Sequence, residues 1–250
     1  MNPLRRHEAI MEMLLSKREL TVAEISEKLE VTGKTIREDL AKLEDKGLLI
    51  RIHGGAMLAQ SDQLGILSAN EPLIKHSNEK AEVALRAIQY IETNDIIALD
   101  GGTTTLEIAR RLENKPLTVV TNDVFIIGEL ARKHEIRLVV PGGYRVRNML
   151  IGPEAVSYIK TLNVQKAFLS ATGVHPEFGF SLYTGDMLNF KRALIETAHT
   201  SYIVADHHKF GQCALRTFAS LGEISKILTD SGLDEKVAAQ FRAAGIIVEY

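Results

Sequence analysis

The sequence predicts an α/β protein in which an N-terminal winged helix-turn-helix precedes a mostly parallel-sheet, Rossmann-like domain. Three observations support this prediction. Apolar residues recur at helical spacing in the first part of the chain, a short apolar hairpin pattern follows, and strand candidates then alternate with helical segments. The predicted domains are residues 1–58 and 79–250, joined by a polar, small-residue-rich linker at residues 59–78.

Composition narrows the class of protein. The chain has 250 residues, 45% of them hydrophobic, which is enough for two domains with their own cores. Its single cysteine, Cys213, cannot form an intramolecular disulfide, and this fits a cytoplasmic protein. No apolar run approaches the roughly 20 residues of a membrane span, and charges interrupt the N-terminal segment, so neither a membrane span nor a signal peptide is expected. The net charge of −2 argues against a broad nucleic-acid-coating surface but allows a local basic patch.

Three helices are predicted in the first domain. Apolar side chains recur at intervals of three and four residues in segments 5–17, 21–30 and 32–47. Thr21 and Glu24 have the spacing of a capping box, in which the threonine accepts from a backbone N–H and the glutamate reaches back. A β-hairpin with a Gly-Gly turn is predicted directly after the third helix.

The third predicted helix has one apolar face and one polar face. Ile36, Leu40 and Leu43 recur at i, i+4 and i+7 and should face the core. A short turn separates this helix from the second, which is the arrangement that lets a helix-turn-helix enter the DNA major groove. The predicted DNA contacts, from this helix and from the hairpin, are Thr32, Lys34, Thr35, Arg37, Glu38, Arg51 and His53.

Different side chains of this helix suit different parts of DNA. Arg37 is the best candidate for a bidentate contact to guanine, while Lys34 and Thr35 suit phosphate oxygens. A charged helix face is also what solvent exposure produces, and helix-turn-helix units serve as interaction modules as well. The Gly33-Lys34-Thr35 sequence would end a nucleotide-binding P-loop, but Lys28 stands where that motif needs its first glycine. Periodicity alone therefore leaves DNA binding and a plain interaction module open.

The second domain has the βαβ rhythm of a parallel sheet covered on both faces. A helix is predicted at about residues 79–92 before the first strand. Ligands of such sheets bind beyond the carboxyl ends of the strands, so polar residues that follow a strand are the predicted site. The predicted strands are residues 96–100, 117–121, 136–141, 166–171, 202–206, 226–230 and 246–250.

A glycine- and threonine-rich loop follows the first predicted strand. Glycines let the backbone approach an anion, threonines add hydroxyl donors, and the following helix N-terminus favours negative charge. The spacing of a dinucleotide-binding loop is missing, so a smaller phosphate such as a sugar phosphate is expected, with no cofactor. The predicted effector-binding residues are Asp100, Gly101, Gly102, Thr103, Thr104, Thr105, Asn122, Gly142, Gly143, Arg147, Gly173, Lys191, Asp206 and Lys209.

Roles can be assigned within this set. Asp100 and Asn122 would bind sugar hydroxyls, and Arg147 or Lys209 would supply a positive charge opposite the phosphate. Lys191 is a second candidate for that charge.

A metal site is the first alternative for the second domain. His207 and His208 stand beside Asp206, which are ligand types for zinc or iron. Adjacent residues point different ways on most backbones, and no nearby cysteine or further histidine completes a set of four ligands. No metal is therefore expected.

A sugar-phosphate isomerase or deaminase is the second alternative. Such an enzyme needs a carboxylate base beside the substrate and an acid for the second proton. The candidates are Asp100, Asp186, Glu196 and Asp206. A DNA-reading domain would have no use in such an enzyme, so no catalytic residue is expected.

Six motifs, taken together, resemble the DeoR family of bacterial transcriptional regulators. They are VTGKTIREDLAKLEDKGLLIRIHGGA, DGGTTT, Thr121-Asn122, VPGG, SATGV and ADHHKFG, in family order across both domains. The resemblance implies a winged helix-turn-helix followed by a sugar-isomerase-like domain. It also implies a homo-oligomer, a dimer or a tetramer, that binds operator DNA and is released by a phosphorylated sugar or polyol-derived metabolite. The lysine-plus-glycine-rich segment of related isomerases has no analogue in this chain.

Two positions depart from the family pattern. Glu38 stands where the family often has a second arginine, so the operator preference is expected to differ. Glu38 either accepts from a cytosine amino group or contacts nothing. Gly102 stands where many relatives carry serine, which removes one possible phosphate donor.

Overall fold

The chain folds into two units, Met1–Leu64 and Gly65–Tyr250, in a computed structural model. The residues that the structure describes are 2–17, 19–45, 48–58, 76–183 and 185–250. The predicted linker at 59–78 lies outside them except at 76–78. Within the described ranges, no helix combines the length and the apolar composition needed to cross a membrane.

Helices and a three-stranded antiparallel sheet form the N-terminal, winged unit. Its elements are α1 (Pro3–Lys17), β1 (Glu19–Thr21), α2 (Val22–Leu29), α3 (Gly33–Asp45), β2 (Leu49–Ile52) and β3 (Gly55–Leu58). The sheet order is β1-β3-β2. The predicted helices and hairpin are confirmed, whereas β1 was not predicted. Its Leu20 is buried and pairs with Ala56, but three residues are too few to show a strand period.

Side-chain caps explain where α2 and α3 begin. The Glu24 backbone N–H donates to Thr21 Oγ1 at 3.2 Å, and the Thr21 N–H donates to Glu24 Oε2 at 2.8 Å, so the capping box is confirmed. Thr32 Oγ1 accepts from the Thr35 backbone N–H at 3.3 Å, one residue before α3 starts. Gly47, where the helical segment predicted at residues 32–47 ends, lies outside the described residues.

The apolar face of α3 forms the centre of the winged unit. Ile36, Leu40 and Leu43 are all buried, as predicted, together with Ile10 of α1 and Ile25 of α2. Burying each such side chain stabilises the unit by about 1.5–3 kcal/mol. The opposite face of α3 is thereby directed to solvent.

A seven-stranded parallel sheet is the centre of the C-terminal, sensor unit. Its order is β15-β14-β12-β9-β4-β5-β6, and all seven predicted strands are confirmed. Their bounds are β4 (Ile96–Leu99), β5 (Leu117–Val120), β6 (Ile136–Val139), β9 (Lys166–Ser170), β12 (Thr200–Val204), β14 (Lys226–Leu228) and β15 (Ile247–Glu249).

Six helices cover both faces of this sheet. They are α4 (Ser77–Ile88), α5 (Thr103–Arg111), α6 (Val124–Leu130), α7 (Pro153–Ile159), α8 (Leu188–Thr197) and α9 (Glu235–Ala243). Successive strand residues contribute to opposite cores: Ile97 and Leu99 pack with α4, α5 and α6, whereas Ala98 packs with α7, α8 and α9. Burial on both faces explains why the strands are continuous apolar runs in the sequence.

Five short strands of the sensor unit were not predicted. They are β7 (Tyr144–Val146), β8 (Met149–Ile151), β10 (Gly173–His175), β11 (Gly179–Leu182) and β13 (Arg216–Ala219). β7 and β8 form an antiparallel hairpin, and β10, β11 and β13 form a second small sheet. Each has three or four residues, which is too short for a periodic signal.

Candidate functional site

The predicted DNA-reading residues lie on the solvent side of α3. Lys34, Arg37 and Glu38 are exposed, and Thr35 is half-buried beside the Thr32 hydroxyl, with 3.0 Å between the two Oγ1 atoms. They occupy the first turns of the helix, where backbone N–H groups point outward and favour phosphate. This arrangement can bring a guanidinium, an ammonium and a hydroxyl into one groove.

The wing arginine is engaged by an acid of α3. Arg51 Nε lies 2.5 Å from Glu44 Oε2, and its backbone N–H donates to Glu44 Oε1 at 2.9 Å. These bonds, the backbone one first, lower the pKa of Glu44. The sequence predicted that Arg51 contacts DNA, but it did not predict the pair with Glu44. His53 is exposed at the turn between β2 and β3.

A buried ion cluster fixes α1 against α3. Asp39 is 1% exposed, and its carboxylate accepts from Arg6 Nε at 2.5 Å and Arg6 Nη2 at 3.1 Å. His7 Nε2 lies 2.9 Å from the same carboxylate. Burial alone would raise the pKa of Asp39, but the bonds from Arg6 and His7 lower it overall. The sequence signal was an aspartate between apolar positions, next to Leu40.

The strand ends of the sensor unit bring several predicted residues together. Asp100, directly after β4, is fully buried and accepts from the Ser170 backbone N–H at 3.0 Å. Lys191 of α8 bonds to the Asp100 carboxylate and donates to the Ser170 carbonyl at 2.7 Å. Burial raises the pKa of Asp100, and the Lys191 ammonium opposes that effect. Asp100 and Lys191 therefore bond to each other, whereas the sequence predicted a separate contact to the effector for each.

The predicted phosphate loop is closely packed. A Cβ on Gly102 would lie 2.5 Å from Ser170 Oγ, and one on Gly101 would lie 2.0 Å from Met149 Cε. Both positions therefore require glycine. Thr105 is fully buried and donates its hydroxyl to the Gly102 carbonyl at 3.0 Å. Of the loop threonines, Thr104 is also buried and Thr103 is half-buried.

The β7–β8 hairpin is bonded to the end of β5. Asn122 Nδ2 donates to the Leu150 carbonyl at 2.9 Å, while the buried Asn122 Oδ1 accepts no hydrogen bond from any residue that the structure describes. Asp123 accepts from Asn148 Nδ2 at 2.6 Å and from the first backbone N–H groups of α6. Burial raises the pKa of Asp123 to about 6. Asp123 was missed by the sequence analysis, although an aspartate before a helix is a cap signal.

A second buried pair lies after β12. Asp206 is fully buried, and within the described part of the chain neither of its carboxylate oxygens has a hydrogen-bond partner. Lys80 of α4, 1% exposed, places Nζ 3.9 Å from Asp206 Oδ2. Lys209 lies in the 3₁₀ turn that follows and donates its backbone N–H to the Asp206 carbonyl at 3.0 Å. Lys80 was missed, and its signal was a lysine at the apolar phase of α4, one turn before Val83 and Ala84.

The other predicted effector residues lie in turns and in the small sheet. Gly142 and Gly143 have φ of 84° and 104° in the turn before β7, and Arg147 is at the tip of the hairpin. Gly173 pairs with Ser181 in the small sheet. A cavity of about 300 Å³ opens beside the hairpin, with a lining of Tyr144, Ile151, Gly152, Pro153, Val156, Gly185, Asn189 and Phe190.

The two buried pairs share one edge of the sheet. β9 lies between β4 and β12, so Asp100 and Asp206 follow strands that are two positions apart. Two inter-strand spacings amount to roughly 10 Å. The edge therefore carries a glycine loop at a helix start and a lysine–aspartate pair within the length of a small phosphorylated sugar.

Known families and proteins match both units. The DeoR-like helix-turn-helix domain matches residues 6–62, and the DeoR C terminal sensor domain matches residues 75–231. The chain is 35% identical to the uncharacterized HTH-type transcriptional regulator YulB of Bacillus subtilis (strain 168), over 92% of this chain and 89% of that protein. These matches confirm the resemblance that the sequence motifs predict.

Two further relatives differ in the regulatory action that their names give. The transcriptional repressor AccR of Agrobacterium fabrum is 32% identical and covers 91% of this chain, which in turn covers 89% of AccR. The L-fucose operon activator of Haemophilus influenzae is 29% identical, with 93% of this chain and 94% of that protein covered.

We expect the buried Asp39 cluster to stabilise the winged unit. Asp39→Asn leaves the Arg6 charge buried without its carboxylate, so the free energy of unfolding should fall by about 3 kcal/mol. Glu38→Gln removes a neighbouring exposed charge from the same helix and should change stability little. Because the folded pKa of Asp39 is lowered, the difference between wild type and Asp39→Asn should be full at neutral pH and shrink below about pH 4. Urea unfolding across pH measures it, and equal stability of the two variants at neutral pH would contradict the assignment.

Proposed function

We propose, because this chain belongs to the DeoR family of transcriptional regulators, that it represses a carbohydrate-utilisation operon and leaves the operator when a phosphorylated sugar binds the sensor unit. The family makes it a DNA-binding regulator with a sensor for a sugar-type effector, rather than an isomerase or deaminase. The observation that carries the proposal is the exposed Lys34 and Arg37 face of α3, supported from behind by a buried apolar face. Repression is favoured by the likeness to AccR.

Local charge makes α3 suited to DNA although the whole chain is slightly acidic. Arg37 can reach the two acceptors of guanine in the major groove, whereas Lys34 and Thr35 at the start of α3 suit phosphate. Asp39 also lies close to this face, but its carboxylate is buried and pairs with two side chains of α1. It therefore does not compete with DNA phosphates for the positive side chains of α3.

A homo-oligomer is part of this proposal. One α3 reads only a few base pairs, and repressors of this class gain affinity by pairing two helices on half-sites about one or more helical turns apart. Nuclease protection of the operator should show two protected half-sites at such a spacing. A single protected half-site would indicate a monomer on DNA.

The sensor site proposed here combines the glycine loop with the Lys80–Asp206 pair. In this proposal a phosphate is held at the start of α5, where backbone N–H groups favour an anion once the Met149 side chain moves aside. A buried carboxylate without hydrogen bonds is costly, and sugar hydroxyls would satisfy the oxygens of Asp206. In this proposal Lys80 and Lys209 supply the positive charge opposite the phosphate, a role for which Lys191 was also a candidate from the sequence.

Met149 links occupancy of this site to the position of the hairpin. The Met149 side chain lies against Gly101, since a Cβ on that glycine would be 2.0 Å from Met149 Cε. A phosphate bound over this loop would shift the Met149 side chain, and we propose that this shift is passed on to the β7–β8 hairpin, which a 2.6 Å bond between Asn148 and Asp123 holds. Binding energy can change operator affinity only through such a difference between two states.

We expect two side chains of α3 to affect DNA binding in different ways. Arg37→Ala should lose about 1–3 kcal/mol and relax preference at one base pair, because a bidentate contact is removed. Lys34→Ala should weaken all DNA sequences similarly and flatten the salt dependence. Fluorescence anisotropy on operator and scrambled DNA measures both effects. Lys42→Ala, an exposed lysine at the other end of α3, is the control, and an equal loss in all three variants would point to charge alone.

We expect Lys80 and Asp206 to bind the effector and to couple it to DNA. In a calorimetric screen of aldose and ketose phosphates, Lys80→Met and Asp206→Asn should each weaken the best ligand by about tenfold or more, since a charge-assisted bond is worth about 1.5–3 kcal/mol. Lys166→Met breaks a comparable pair, 2.7 Å from Asp95, at the opposite edge of the sheet and should leave affinity unchanged.

Linkage supplies the second part of that test. If the effector releases operator DNA, saturating operator must weaken effector binding by the same factor. Equal effector affinity with and without operator would remove the induction mechanism. Equal effector affinity in wild type and in Asp206→Asn would contradict binding at the Lys80–Asp206 pair and would place the effector elsewhere.

A further inference from the structure

A cluster of metal-ligand side chains lies beside the sensor site. His76 immediately precedes α4, Glu79 lies in its first turn, and His208 lies in the 3₁₀ turn after β12. One ligand atom from each of the three lies within 4.8 Å of the other two. The sequence did not predict this set, because His76 and Glu79 are far from His208 along the chain.

We propose that His76, Glu79 and His208 bind one divalent transition-metal ion of the zinc class. Two imidazole nitrogens and one carboxylate oxygen are a donor set of zinc sites that keep a fourth position open. Magnesium and calcium prefer oxygen ligands throughout, so the two histidines select against them.

The distances allow one ion to reach all three side chains. Glu79 Oε1 lies 3.9 Å from His76 Nδ1 and 4.0 Å from His208 Nε2. Ligand atoms around a tetrahedral zinc are roughly 3.3 Å apart, given Zn–N and Zn–O bonds of about 2 Å. Because the three side chains lie at a half-exposed surface, small rotations of each can close the remaining gap.

The neighbouring histidine has a different partner. His207 Nδ1 lies 2.5 Å from Asp230 Oδ2, and the His207 backbone N–H donates to Asp230 Oδ1 at 2.7 Å. Its ring lies tilted against that of His208, with centroids 3.8 Å apart, although the two histidines have different partners. The His208 ring is likewise tilted against that of His76, with centroids 3.9 Å apart.

An ion at this position would connect two segments of the sensor unit. One is the start of α4, which follows residues 59–75 and carries Lys80 one turn further on. The other is the turn that follows Asp206 and carries Lys209. Metal binding would therefore stabilise the arrangement of these segments, and it does not depend on which sugar phosphate the protein recognises.

The test is a metal titration of the untagged, chelator-treated full-length protein. Cobalt(II) reports the site directly, because its visible absorption is strong when nitrogen and oxygen ligands hold it tetrahedrally, and zinc should displace it. We expect one ion per chain and a higher unfolding temperature in zinc. His76→Ala, Glu79→Gln and His208→Ala should each weaken zinc binding by at least about tenfold, which is what even outer-shell changes cost.

Two controls separate this site from surface binding. His134→Ala removes an exposed histidine outside the cluster and should leave the affinity for zinc unchanged. Glu79→Gln keeps the side-chain volume, so a circular dichroism spectrum like that of wild type makes its result interpretable. Zinc affinity that is the same in wild type and in the three cluster variants would overturn the proposal, as would absence of cobalt absorption in the folded wild type.

Discussion

The bond between Asp100 and Lys191 is the constraint on which the ligand edge of the sensor unit depends. Asp100 ends β4 in the middle of the sheet, where a charge without a partner would be costly. Lys191 comes from α8 and also donates to the Ser170 carbonyl, so β4, β9 and α8 meet at one carboxylate. This junction fixes the path of Gly101 and Gly102. The Asp100–Lys191 bond therefore positions the loop, and in the proposed site it would do so without contacting the ligand itself.

The strands were predictable because burial leaves a local record in the sequence. Residues 96–100 and 202–206 are apolar runs, since a parallel strand covered on both faces has no polar side to present. The amphipathic α3 was predictable for the complementary reason, because Ile36 and Leu40 recur at the helical period. The β7–β8 hairpin escaped prediction, since three-residue strands are set by tertiary contacts and carry no period of their own.

The site was only partly predictable because its polar contacts join distant residues. Asp100 and Lys191 are 91 positions apart, and the sequence predicted both as effector-binding residues without predicting that they pair. Lys80 and Asp39 did leave a signal, which is a charged residue at an apolar phase of a helix. A charge in that position must find a buried partner or a ligand. Reading such residues as pairing sites, before assigning them to solvent, would have found both clusters.

The two buried lysines at this edge of the sheet differ in their proposed roles: one positions the glycine loop, and the other belongs to the proposed effector site. Lys191 contacts a carboxylate that also accepts a backbone N–H, so its charge is already matched. Lys80 stands 3.9 Å from the Asp206 carboxylate, which accepts no hydrogen bond from the described residues, so in the proposed site Asp206 can still accept from a ligand. The hydroxyl groups of a sugar supply hydrogen-bond donors, whereas an apolar ligand does not. A tenfold change in operator affinity needs only about 1.4 kcal/mol of difference between states. In the proposed mechanism the hydrogen bonds that Asp206 would gain on binding are of that size, and they would change operator affinity only if they formed in one of two states of the hairpin.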